Sequence, residues 1–99
     1  MSKDHVVMYL RRFHYDPEWR VMRRGKKPMH VVPMRALGKV SGVSYVQIYR
    51  AIIHGWLSDN ACLKLEPFIK KILSGDGRFV YIAKTGYVFE DDTLKRLSK

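Results

Sequence analysis

The sequence predicts a mainly α-helical single domain with a small β component: a helical core over residues 33–74 and a C-terminal β-hairpin over 79–89. Three observations carry that expectation. Apolar residues recur at helical spacing in 34–41, 45–54 and 59–73, each stretch bounded by capping residue types. The runs FVYIA (79–83) and YVF (87–89) flank Lys84-Thr85-Gly86, a hairpin signal. The chain has 99 residues, of which 46% are hydrophobic, which suits one domain with one modest core.

Taken in order, HVVMYLRRFH (5–14) reads as a helix capped by Asp4, with Val6, Leu10 and Phe13 on one face. Alternation of Val6, Met8 and Leu10 leaves a strand open as the second choice. Asp16-Pro17 marks a turn, and Trp19 to Met22 reads as a short strand. RRGKK (23–27) is then a solvated loop tip, and residues 1–28 together form an N-terminal basic extension. Pro33 suits a first helical residue, Ser44 an N-cap and Gly55 a helix end. A further helix begins at Ser58 or Asp59. Its apolar stripe is Ala61, Leu65, Phe68, Ile69, Ile72 and Leu73, and Pro67 should kink or restart it. Residues 90–99 form a charged tail.

The formal charge is +10 and it is uneven. Residues 1–54 carry 11 Lys/Arg against Asp4, Asp16 and Glu18, whereas residues 55–99 carry 8 against 6 acidic residues. A basic half points to a polyanion, either nucleic acid or an anionic membrane surface. Cys62 is the only cysteine, so it is expected as a small buried apolar side chain rather than a disulfide or zinc ligand. No apolar run approaches the ~18 residues of a membrane span. HVVMYL is too short for a signal-peptide core and runs into Arg11-Arg12, so a cytoplasmic protein is expected. His5, His14, His30 and His54 share no metal-ligand spacing with one another or with Cys62. Gly75-Asp76-Gly77 lacks the Gly-Lys-Ser/Thr of a phosphate loop. No nucleophile, base and orienting group assemble, so neither an enzyme nor a cofactor is expected.

Residues 34–53 hold the informative pattern. Two short helices joined by a tight turn at Gly42 make a helix-turn-helix. Gly38 supplies the small residue where the helices cross, and Leu37, Val43, Ile48 and Ala51 fall where the inner clamp must be. The outward positions of the second helix are Tyr45, Val46, Tyr49 and Arg50, an aromatic, apolar and cationic set suited to a major groove. Arginine pairs bidentately with guanine, and apolar side chains touch the thymine methyl. These four are the candidate base readers. Ser44, Gln47, Arg35 and the loop cations Arg23, Arg24, Lys26 and Lys27 are the candidate contacts to the DNA backbone.

Gly42, Val43, Ser44, Tyr45 and Arg50 together resemble the recognition helix of the lac-repressor-type headpiece, and residues 33–73 resemble the lambda-repressor-like fold of Cro and phage repressors. The resemblance implies base reading by Tyr45, Val46 and Arg50, with Ser44 and Tyr49 at backbone or flanking positions. Val46 stands where the family usually has a polar reader, and Gly38 where alanine is commoner. The implied function is a transcriptional regulator of phage or bacterial type. It would bind double-stranded DNA as a homodimer, paired through the C-terminal hairpin, to give repression or autoregulation. Two alternatives stay open: a DNA-binding accessory module in packaging, excision or replication, and a protein-interaction inhibitor using Tyr45, Tyr49 and Trp56.

Overall fold

The computed structural model describes residues 1–92, apart from the side chain of Arg23. Residues 93–99 of the expected charged tail lie outside that range. Among the described residues the chain is mainly α with a small β component, in the order α1 (Lys3–Tyr15), a 3₁₀ turn (Pro17–Trp19), β1 (Arg20–Arg23), β2 (Lys26–His30), α2 (Met34–Ser41), α3 (Tyr45–His54), α4 (Asp59–Ser74), β3 (Gly77–Ile82) and β4 (Gly86–Asp91).

α1 forms as a helix, not a strand, because Val6, Leu10 and Phe13 fall on one face, and all three are fully buried. Its cap is Ser2 rather than Asp4: the Ser2 hydroxyl accepts from the His5 N–H, and Asp4 sits inside the first turn, where its charge favours the helix N-terminus. α1 packs against α4 and α3, so residues 1–28 are more than an extension. They supply Val6, Val7, Leu10 and Phe13 to the core.

Trp19 belongs to the 3₁₀ turn, where it meets Phe13 edge-on at 4.6 Å, and the first strand starts one residue later. RRGKK is a tip, exposed over residues 24–27. It is the turn and flanks of an antiparallel hairpin in which Arg20 pairs with His30 and Val21 with Met29, with an irregularity between Val21 and Arg23.

α2 and α3 meet at Gly38. A Cβ there would lie 2.7 Å from the Val43 carbonyl oxygen and 3.3 Å from Ile48 Cδ1, so only glycine lets the helices approach this closely. Pro33 caps α2 from just outside instead of forming its first residue, and it makes no side-chain cap bond. Leu37, Val43, Ile48 and Ala51 are buried as the inner clamp. Burial of Leu37, Val43 and Ile48 contributes about 1.5–3 kcal/mol each through area removed from water, and the single methyl of Ala51 less.

α4 runs unbroken through Pro67, with neither a restart nor a break in the helix. Pro67 and Leu63, the residue whose carbonyl is left without its helical donor, are both exposed, so the missing bond falls on the solvent side. The buried face is Ala61, Cys62, Leu65, Ile69 and Ile72, with Phe68 partly buried; Leu73 lies off it, 40% exposed. Burial pushes the Cys62 thiol up, with the Glu66 carboxylate adding to it, which leaves the thiol inert.

The β3–β4 hairpin pairs Phe79 with Phe89 and Tyr81 with Tyr87. Phe89 meets Phe68 of α4 at 5.3 Å, and Lys71 pairs with Asp91. No helix among the described residues is long and apolar enough to cross a membrane.

Candidate nucleic-acid interface

α3 is held at both ends and along one side. The Ser44 hydroxyl accepts from the Gln47 N–H at 3.2 Å, which fixes the N-terminus. Gly55 closes the C-terminus in the left-handed conformation, and Arg11 of α1 donates from Nε to the Ile52 carbonyl at 2.9 Å. A cation at a helix C-terminus also complements the helix dipole. Ile48, Ala51 and Ile52 face the core. The helix therefore has one rotational setting, and what it leaves outside is fixed by that setting.

The outside carries Tyr45, Val46, Arg50 and Ile53. Val46 and Ile53 are 56% and 61% exposed, Tyr45 is 38% exposed, and Arg50 is exposed. Trp56, just past the helix, is 57% exposed, while its neighbour Leu57 is buried. Ile53 extends the stripe by one turn beyond the residues read from the sequence. Spacing alone could have shown this, since Val46, Arg50 and Ile53 stand four and three residues apart.

Tyr49 has a different place. It is half-buried and packs against the core. Its ring meets Tyr45 at 4.5 Å and His14 at 5.2 Å, both edge-on. Burial, followed by its hydrogen bond with Tyr45, raises its hydroxyl above the usual phenol range. Tyr49 thus braces Tyr45 and presents only part of itself outward. The Arg35 guanidinium lies 4.9 Å from the Tyr45 ring centroid. Arg35 and Tyr45 form one cationic, aromatic unit at the joint start of α2 and α3.

Among the predicted backbone contacts, Ser44 accepts one hydrogen bond at the cap and keeps its hydroxyl hydrogen to donate. Gln47 is half-buried. Arg24, Lys26 and Lys27 are exposed at the hairpin tip, and Arg23 flanks the same turn, its side chain outside the described set.

The base of that hairpin joins the α3 face through two histidines that no sequence pattern pairs. His14 of α1 and His30 of β2 stack at 5.3 Å with planes 9° apart, and His14 in turn touches Tyr49. Arg20 of β1 donates to the His14 carbonyl at 3.2 Å. Burial lowers the His14 pKa, and the neighbouring His30 and Arg20 lower it further. The rings lie 16 residues apart in sequence, and only the hairpin turn brings them together.

Among the described residues no group of three or more His, Cys, Asp or Glu side chains converges as a metal site would need. The region brings together a fixed helix face, the Arg35–Tyr45 pair and the base of a basic hairpin. No protein-family model matches the chain, and neither does any curated protein or solved structure.

Proposed function

We propose that the chain binds double-stranded DNA sequence-specifically through a lambda-repressor-like helix-turn-helix made of α2 and α3, and acts as a transcriptional regulator of phage or bacterial type. One observation supports this most: a helix locked at both ends presents Tyr45, Val46 and Arg50 to the outside, and the hairpin that carries Arg24, Lys26 and Lys27 at its tip is fastened by its base, through the His14–His30 stack, to Tyr49 of the same helix. A major groove admits such a helix, and those side chains match its hydrogen-bonding edges and thymine methyls. Arg35, Ser44, Gln47 and the cations around Gly25 hold the phosphate backbone, which fixes register without reading sequence.

One short helix reads too few base pairs for selectivity, so a homodimer on two half-sites completes the reading. The β3–β4 hairpin is the proposed dimer contact, because Ile82 and Val88 are exposed apolar residues on the face of the two-stranded sheet opposite Phe79 and Phe89, and the sheet has open edges. Repression then follows by occlusion of the promoter. Selection of bound sites from random duplex DNA tests this reading. A palindromic consensus is expected, and no enrichment at all would refute it.

A second reading has its own observation. Val46, Ile53 and Trp56 are all more than half exposed, an apolar run apt for a partner protein. Nucleic-acid binding weakens steeply with salt, whereas an apolar protein interface does not, so the salt slope of binding separates the two.

A further inference from the structure

We propose that a track of aromatic rings, running from the start of α3 to the β3–β4 hairpin, binds an unpaired strand of nucleic acid with its bases against the rings. This rests on the nucleic-acid reading above and adds a second form of ligand to it. The first section of the track is Tyr45, Tyr49, His14 and His30, with successive centroids 4.5, 5.2 and 5.3 Å apart. The second is Tyr87 and Tyr81, 5.3 Å apart across the hairpin. Two clefts join the sections. One, of about 300 Å³, lies among His14, His30, Arg35, Tyr45, Tyr49 and Tyr87. The other, of about 180 Å³, lies between the hairpins beside His30, Tyr81 and Tyr87.

The rings at the two ends of the track are poorly explained by folding alone. Tyr81 is 58% exposed and Tyr45 38%, and each has its ring neighbour among other tyrosines rather than in the aliphatic core. His30 lines both clefts and leaves its buried Nδ1 without a hydrogen-bond partner among the described residues. No carboxylate lines either cleft among the described residues, while Arg35 lines the first and Arg20 adjoins His14. The charge is therefore complementary to a phosphate backbone. A duplex offers base edges in its grooves but keeps base faces stacked within, so only unpaired bases can lay their faces against these rings. Rings interleaved with cations are the common solution for holding single strands.

The experiment measures fluorescence anisotropy of the full chain with short labelled oligothymidylate and oligouridylate, an equal-length abasic strand and a duplex. The base-bearing strands should bind about fivefold or more tighter than the abasic strand. Tyr81→Ala should remove much of that advantage and Tyr81→Phe should retain it, with duplex affinity unchanged in both. Preference for thymidylate over uridylate assigns DNA as the strand, and the reverse assigns RNA; either supports the track. Equal affinity for base-bearing and abasic strands, or no effect of Tyr81→Ala, overturns it. If the duplex still binds in that case, the track alone fails. If neither duplex nor single strand binds, the nucleic-acid reading fails with it.

Discussion

The two β-hairpins are built alike and attached differently. β3–β4 lays Phe79 and Phe89 toward α4, where Phe89 meets Phe68, and Lys71 and Asp91 tie the strand to the helix. β1–β2 leaves Val21 51% and Met22 77% exposed, carries its cations at the tip, and touches the helical core mainly at its base through Trp19, Val31 and the His14–His30 stack. One hairpin is thus part of the packed body and the other is an arm. An isolated two-stranded hairpin is marginal in water, so each takes its stability from where it is fastened. The difference separates stability from binding along the chain.

Between the two hairpins, the larger effect should come from loosening the packed one. Phe89→Ala should cost about 3 kcal/mol of unfolding free energy, the low end for a phenylalanine truncation because the ring is only half-buried. Urea denaturation measures it, and the slope of DNA affinity against salt should not change. A destabilisation below about 1 kcal/mol would mean that the two hairpins are fastened alike.

The arm should behave in the opposite way. Replacing Arg23, Arg24, Lys26 and Lys27 together with glutamine should leave stability within about 0.5 kcal/mol. Affinity for every duplex should fall, and the slope of log K against log salt should flatten by about 0.9 for each phosphate no longer neutralised. Unchanged DNA affinity would make the tip a solvated turn and nothing more.

Acid should distinguish the hairpins more gently. The folded-state pKa of His14 lies below its ordinary value of 6.5 because the ring is buried beside His30 and Arg20. The neutral form is therefore favoured by folding. Its stabilising contribution is full above about pH 6.5 and is lost as pH falls toward the folded-state value. Amide exchange in β1–β2 should accelerate as pH drops from 7 toward 5, once corrected for intrinsic rates, while β3–β4 stays protected. Equal loss of protection in both would remove the histidine stack as the arm's fastening.

The sequence shows the packed hairpin and hides the arm for the same physical reason. Residues 79–89 alternate apolar and aromatic residues around a glycine turn, because Phe79 and Phe89 on one side of that sheet pack half-buried against the helical core. Residues 20–30 face water on most sides, so charge replaces alternation, and the irregular register between Val21 and Arg23 blurs what pattern is left. α2, α3 and α4 are legible from their caps and periodicity, and Ser44, Gly55 and Ser58 act as those signals indicate. The half-burial of Tyr49 is not legible. On α3 alone Tyr49 looks outward like Tyr45, and only α1, arriving from 35 residues away with His14, covers it. The Arg11 bond to Ile52 is hidden likewise, since nothing local marks an arginine as the tether of a helix 41 residues on.

Nothing about this protein is tested more directly than by comparing the two faces of α3 on preferred and unrelated duplex DNA. Arg50→Ala and Tyr45→Ala should each cost about 1–3 kcal/mol at the preferred site and much less on unrelated sequence, with thermal stability nearly unchanged in Arg50→Ala and lowered in Tyr45→Ala by about 0.5–1.5 kcal/mol through the lost contact with Tyr49. Ile48→Ala, which empties the fully buried inner face, should cost about 2–5 kcal/mol of folding stability. If Arg50→Ala and Tyr45→Ala instead weaken both DNAs equally, or leave both untouched, α3 does not read bases.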